Sequence, residues 1–215
     1  MAWAMIGCAF GLAACQSKNS TANQPQFLTQ KIYHAPAQTY DFDLGSSLLR
    51  GELKLKQACS IHGSSLDILD QIQQQVRIDT INLNQHPQWT QYSDDLKTLS
   101  PFILQRYQTQ YQAQAQHNKI YNSAMGDVVM SRLQRSQHAV DLVIFKKYDY
   151  AYVVQLNSPL QPENEEIARQ RMMTLLKSIQ IPGKPTGHAS TLPISFDLSN
   201  SDAHARLTWQ KTYCS

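Results

Sequence analysis

The clearest pairing of a nucleophile with a base lies in the segment His62-Gly63-Ser64-Ser65. A serine hydroxyl beside an imidazole is the arrangement that nucleophilic hydrolysis uses when a third group orients the base. The chain has no Gly-x-Ser-x-Gly elbow, and no orienting aspartate is identifiable from the sequence. A hydrolase using His62 and Ser64 is therefore one hypothesis. The alternative is that these serines cap a helix.

Other chemistry-bearing residues form no recognisable site. The seven histidines are scattered without His-x-x-x-His or Cys-x-x-Cys spacing, so we expect no metal and no cofactor. The acidic groups Asp94-Asp95 and Glu163, Glu165 and Glu166 fall at predicted helix starts, where negative charge is favourable. The 19 basic and 16 acidic residues are nearly balanced and dispersed, which disfavours nucleic-acid binding. We therefore expect a protein that is not an enzyme.

One group of aromatic and basic residues is a candidate partner surface. By the period of two along a strand, Tyr148, Tyr150 and Tyr152 share one face next to a predicted turn. Tyrosine is enriched where a surface meets another protein. The predicted surface comprises Lys146, Lys147, Tyr148, Tyr150 and Tyr152. The alternative is that the tyrosines cover the sheet beneath the last helix.

A cysteine near the N-terminus gives the strongest indication of where the protein is located. The run Leu12-Ala13-Ala14-Cys15 closes an uncharged apolar stretch that is too short to span a bilayer but fits the apolar region of a signal peptide. This run resembles the lipobox of bacterial lipoproteins. The resemblance implies that residues 1–14 are removed and that Cys15 carries acyl chains, so that the chain is anchored to a membrane without a transmembrane helix.

The resemblance also implies a location. In the enteric sorting pattern Asp after the cysteine retains a lipoprotein in the inner membrane, whereas this chain has Gln16, which favours the outer membrane facing the periplasm. Residues 15–38 would form a flexible tether and 39–215 one periplasmic domain. No Lys or Arg precedes Lys18, unlike a usual signal peptide. The alternatives are an upstream start, anchoring at Cys8, or an apolar N-terminal helix in the core.

The remaining cysteines, Cys59 and Cys214, form an even pair once Cys8 is removed and Cys15 is lipidated. In an oxidising periplasm they can form a disulfide, and the alternative is two unpaired buried thiols. The segments 42–60 and 196–215 also match at Phe, Asp, Leu, Ser, Lys, Cys and Ser, which predicts two similar β-hairpins with a cysteine at the same end of each. Coincidence is the alternative for this match.

Hydrophobic periodicity predicts the intervening elements. A helix starting at Ser64 or Ser65 would bury Leu66, Leu69, Ile72 and Val76, and a strand would follow at 77–83. A second helix would begin at Ser100-Pro101, with a polar tail over 112–116. Strands are predicted at 128–133, 139–145 and 150–156. A final helix, stopped by Pro182-Gly183, would bury the apolar residues Ile167, Ala168, Met172, Leu175, Leu176 and Ile179.

The strands over 128–156, followed by a helix ending Leu175-Leu176-Lys177-Ser178-Ile179, resemble the closing half of the Mog1/PsbP-like fold. The resemblance covers 126–181 and implies an α+β domain in which helices sandwich an antiparallel sheet. Members of that family include lipoproteins and type VI secretion immunity proteins.

The expected function is a non-catalytic binding or accessory role in the envelope, with a protein partner. One alternative is a type VI secretion immunity protein that neutralises a periplasmic effector. The other is a periplasmic hydrolase.

Lipidation at Cys15 is directly testable. Labelling of expressing cells with a radioactive palmitate precursor should be lost in Cys15→Ala, because the acyl-accepting thiol is removed, and should persist in Cys8→Ala. The opposite pattern would move the anchor to Cys8.

Overall fold

The computed structural model describes residues 32–60, 62–85, 89, 95–135, 138–159, 164–184, 194–199 and 206–211. Within these ranges it has two long helices, α1 (Leu96–Tyr111) and α2 (Glu165–Leu176). The strands are β1 (Ile32–His34), β2 (Asp41–Asp43), β3 (Lys54–Ser60), β4 (Gly63–Leu69), β5 (Gln75–Asn82), β6 (Gln114–Ser123), β7 (Gly126–Arg135), β8 (His138–Lys147), β9 (Tyr150–Asn157), β10 (Ile179–Gln180), β11 (Ile194–Ser199) and β12 (Arg206–Lys211). Short 3-10 turns occupy Pro36–Gln38 and Leu83–Gln85.

Seven of the strands form one antiparallel sheet in the order β3-β4-β5-β9-β8-β7-β6. Its two faces carry separate hydrophobic cores because successive side chains along a strand point to opposite faces. Phe145 and Tyr152 face α2, whereas Ile144 and Val153 face α1, and all four are fully buried. The α2 face is also covered by a small sheet in the order β1-β2-β10. The expected α+β class, with an antiparallel sheet packed against helices, is thus confirmed.

The predicted strands 128–133, 139–145 and 150–156 are confirmed as β7, β8 and β9, each slightly longer than expected. The strand expected at 77–83 is confirmed as β5. These segments are rich in β-branched and aromatic residues, which fit a sheet buried on both faces.

The helix predicted from Ser64 or Ser65 is wrong, because β4 occupies that segment and buries Leu66 and Ile68 on one face. The reason lies in Asp70, whose carboxylate accepts hydrogen bonds from the backbone N–H groups of Ile72 and Gln74 at 3.0 and 2.9 Å. These bonds close a turn that reverses the chain into β5. Gln73 completes the turn with a φ of 63°.

Helix α1 begins at Leu96, where the Asp95 side chain accepts from the backbone N–H of Lys97, so the predicted start at Ser100 is wrong and Pro101 lies inside the helix. Ile103, Leu104 and Tyr107 recur at helical spacing and are buried, whereas Tyr111 on the same stripe is partly exposed. The helix ends where Gln112 adopts a left-handed conformation at φ 49°. The polar tail predicted over 112–116 therefore does not form, and β6 begins at Gln114.

Helix α2 buries most of its predicted apolar face, namely Ala168, Met172, Leu175 and Leu176, whereas Ile167 is 42% exposed. It ends at Leu176 rather than at Pro182-Gly183. Ile179 belongs to β10, which pairs with Phe42 of β2. The helix stops early because this pairing recruits the following residues into the small sheet.

The predicted C-terminal hairpin is confirmed, since β11 and β12 pair from Ile194 with Lys211 to Ser199 with Arg206. The matching N-terminal hairpin is wrong, because β2 joins the small sheet whereas β3 is an edge strand of the large one. The two matching sequences therefore adopt different structures. Strand β11 lies alongside β3.

In the part of the chain that the structure describes, no helix combines the length and the apolar character needed to cross a membrane. The predicted signal peptide and most of the predicted tether lie outside the described residues.

Candidate functional site

A polar cleft opens between α1 and strands β4 and β5. It encloses about 190 Å³, and we define it by six residues that line it: Ser65, Arg77, Asp79, Arg106, Tyr107 and Gln110. Four of the six carry charged or phenolic side chains. The cleft is therefore strongly polar.

Strand register explains why these groups meet. Asp67 of β4 stands opposite Arg77 of β5, and Ser65 stands opposite Asp79. All four residues lie on the face of the sheet that carries α1. The helix packs mainly against β6, β7 and β8 and reaches β5 through Tyr107, so among the described residues this face of β3 and β4 stays exposed or partly exposed. Lys54 and Lys56 of β3 lie on this face and are exposed.

Asp79 organises the floor of the cleft. Its carboxylate accepts from Arg77 Nε at 2.9 and 3.1 Å, from the Tyr107 hydroxyl at 2.6 Å and from Gln155 Nε2 at 2.7 Å. Gln155 in turn accepts a hydrogen bond from the Tyr111 hydroxyl at 2.6 Å. These bonds join α1 to two central strands, and they satisfy a carboxylate that is only 10% exposed.

The electrostatics of the network follow from burial. Desolvation raises the pKa of Asp79 above its ordinary value of 3.8, although the attraction of Arg77 and the hydrogen bond from Tyr107 act in the opposite direction. Burial likewise raises the pKa of the Tyr107 phenol well above 10.0, and the neighbouring Asp79 charge adds to the shift. Tyr107 is thus a neutral donor at physiological pH. Asp79 is occupied by three partners, which suits it to hold Arg77 in place rather than to act as a free base.

Arg77 and Arg106 present cations to the cleft. Arg77 Nη1 lies 3.4 Å from Asp67 Oδ2, and its side chain is 31% exposed. The Arg106 guanidinium lies 5.7 Å from the ring centroid of Trp89, which fixes the arginine over an aromatic face. Such an arrangement recognises carboxylate or amide groups on a partner through hydrogen bonds and charge.

The residues of the hydrolase hypothesis lie at one end of the same concavity but do not form a catalytic pair. His62 Nδ1 lies 3.0 Å from the backbone oxygen of Gln85. The Ser64 hydroxyl hydrogen-bonds the Thr80 hydroxyl at 2.8 Å. Ser64 is therefore engaged by Thr80 and not by the imidazole, and neither serine caps a helix because both lie in β4.

The five residues of the predicted partner surface differ in their exposure to solvent. Tyr148 is 41% exposed at the turn between β8 and β9, with Lys147 exposed beside it. Lys146 and Tyr150 are half-buried. Tyr152 is fully buried: it stacks on Phe145 with 4.9 Å between ring centroids and donates to the backbone oxygen of Thr39 at 2.9 Å. Tyr152 is therefore a core residue and does not belong to a surface.

Cys59, near the end of β3, is disulfide-bonded. Cys214 and Cys15 lie outside the described residues, so the predicted pairing of Cys59 with Cys214 and the lipidation of Cys15 stay predictions. Among the described residues no cluster of three or more His, Cys, Asp and Glu side chains is placed to hold a metal ion.

The centre of the cleft is not recognisable as a site from the sequence. Arg77, Asp79 and Gln155 lie within predicted strands, and no motif joins them into a network. A usable signal exists, because charged residues two positions apart inside the apolar segment 76–81 must share one face. Their partners Tyr107 and Tyr111 come from a distant helix, and the sequence alone does not pair them.

No family model matches the chain, and no curated protein sequence matches it. The contacts of the described residues therefore carry the functional conclusion.

Replacing Asp79 by alanine should destabilise the fold by about 3 kcal/mol, because it removes the acceptor shared by Arg77, Tyr107 and Gln155. Asp67→Ala is the matched control: its contact with Arg77 is longer and more exposed, so the expected loss is below about 1 kcal/mol. Urea unfolding measures both losses. Equal losses in the two variants would contradict a central role for Asp79.

The same network predicts a pH dependence. Since the pKa of Asp79 is raised on folding, its contribution to stability is fully present below its ordinary value of 3.8 and is lost as the pH rises through the raised value. The stability of the wild type relative to Asp79→Asn, which does not titrate, should therefore fall as the pH rises through that window. A relative stability that increases instead would show that the ion pair with Arg77 outweighs desolvation.

Proposed function

We propose that this chain is an exported lipoprotein of the bacterial envelope, anchored through Cys15 and facing the periplasm from the outer membrane. The lipobox-like run that ends at Cys15 supports the anchor. The disulfide-bonded Cys59 is compatible with export, because disulfides persist in oxidising compartments and are rare in the cytosol. We further propose that Cys59 pairs with Cys214, which would fasten the C-terminal hairpin to the edge strand beside which β11 lies.

The anchored domain acts by binding a partner protein rather than by catalysis. The observation that carries this proposal is a row across β3, β4 and β5 in which Lys56 is exposed and Asp67 and Arg77 are partly exposed. Arg77 is oriented by the buried Asp79, so the surface is held in place before a partner arrives. Pre-organised polar groups of this kind favour a specific partner because less ordering is needed on binding.

We propose a Mog1/PsbP-like sandwich, supported by the order of β7, β8, β9 and α2 and by the presence of helices on opposite faces of the large sheet. The hydrolase is not proposed, because the Ser64 hydroxyl bonds Thr80.

Affinity capture from envelope extracts tests the binding proposal. The full chain carrying Cys15→Ala, immobilised as bait, should retain a partner that the double variant Lys54→Glu, Lys56→Glu retains at least about tenfold less, since two favourable charges become repulsive. Lys177→Glu, at the end of α2 on the other side of the sheet, should leave retention unchanged. Loss on Lys147→Glu alone would move the partner surface to the β8–β9 turn, and retention of no protein would count against binding.

The proposed disulfide is tested by peptide mapping without reductant. Digestion should release one peptide pair that joins Cys59 to Cys214 and disappears after reduction. A pair joining Cys59 to Cys8 or Cys15 instead would overturn both the pairing and the assignment of Cys15 to lipid.

A further inference from the structure

Strand β6 forms the second edge of the large sheet. Among the described strands it pairs only with β7, whereas the other edge strand, β3, has β11 alongside it. Most of its ten residues are exposed. An edge strand presents unpaired backbone N–H and C=O groups, which form a template for an additional strand.

A cavity lies next to this edge, between β6 and the start of α2. It has a volume of about 220 Å³. Met130 and Ala168 contribute apolar surface, and Tyr121 of β6 forms a wall. The Tyr121 ring is held in place, since the Arg169 guanidinium lies 5.8 Å from its centroid and the phenol donates to Glu165 Oε1 at 3.4 Å.

A β-bulge shapes the mouth of the cavity. The register of β6 against β7 shifts between Gln116 and Lys119, and His117 has a φ of 57°. Lys119 Nζ lies 2.6 Å from Glu165 Oε1, and His117 Nδ1 lies 3.3 Å from Glu165 Oε2. Bulges commonly redirect side chains next to functional sites, and this one directs two β6 side chains to a single carboxylate on α2.

The charges around the cavity select the kind of guest. Arg132 bonds both oxygens of Asp141, at 2.7 and 3.1 Å, and Glu165 is paired with Lys119. The charged groups that line the cavity thus already have partners of opposite charge. A charged guest would lose hydration without gaining an unpaired counter-charge, which disfavours it. A neutral guest complements the cavity best.

The size of the cavity also favours a small neutral guest. Pockets for drug-sized ligands usually occupy about 300–1,000 Å³, so 220 Å³ suits one side chain or one small ring. Walls formed by Met130 and Tyr121 favour an aromatic ring, through sulfur–aromatic and ring–ring contacts.

We infer that β6 binds an extended segment of a partner protein as an eighth strand of the sheet, with a neutral aromatic side chain of that segment in the adjacent cavity. Backbone pairing supplies affinity and the cavity supplies specificity. This site lies on the α2 face, opposite the polar cleft. It therefore depends neither on the cleft nor on the lipid anchor.

A host–guest peptide set tests the inference. Fluorescein-labelled ten-residue peptides of alternating Thr and Val carry Phe, Leu, Glu or Lys at one central position and are titrated against the full chain carrying Cys15→Ala. Fluorescence anisotropy should show tightest binding for the Phe peptide and at least about tenfold weaker binding for the Glu and Lys peptides. Tyr121→Ala should reduce the preference for Phe below about threefold, whereas Tyr148→Ala, at the β8–β9 turn, should leave it unchanged.

Backbone amide hydrogen exchange of the chain that retains Tyr121 provides a second readout. It tests whether the peptide binds at β6 even if the Tyr121→Ala variant fails to fold. Saturation with the Phe peptide should slow exchange in β6. Equal affinity for all four guests, absence of binding at millimolar peptide, or protection at β3 and β11 in place of β6 would each overturn the inference.

Discussion

Burial of the strand pair β8 and β9 on both faces is the constraint on which the rest of the structure depends. Ile144 and Phe145 are neighbours in the chain and both are fully buried, one under α1 and the other beneath α2 and the small sheet. Full burial of a large apolar side chain contributes about 1.5–3 kcal/mol relative to exposure. Both helices must therefore stay in place, and the strands farther from this pair are free to carry polar groups.

The candidate site lies where that double coverage ends. Gln155 lies on β9 itself, and it donates a hydrogen bond to Asp79 of the adjacent strand β5. A polar group can be buried there only because Tyr107 and Tyr111 of α1 reach across to it. The same four side chains thus close the apolar core and form the floor of a surface that faces solvent.

The sequence predicts the deeply buried elements better than the exposed ones. Strands β7 to β9 and the apolar face of α2 were predictable, because continuous β-branched runs and helical spacing leave few alternatives. In β4, Leu66, Ile68 and Leu69 fit both periods, and the side-chain bonds of Asp70 decide between them. Strand β6 is polar and exposed, so its conformation comes from pairing with β7 rather than from its own composition. The Asp79 network joins residues from three distant segments, which no local pattern reveals.

The contact between β11 and β3 has a consequence for how the domain assembles. The two strands are separated by most of the described chain, including every other strand of the large sheet. Because β3 to β9 all precede β11 in the chain, the seven-stranded sheet can form with its β3 edge still uncovered. Contacts of such long sequence separation form slowly. We expect the C-terminal hairpin to dock last, and until it docks both edge strands of the sheet, β3 and β6, lack a further neighbour among the described strands.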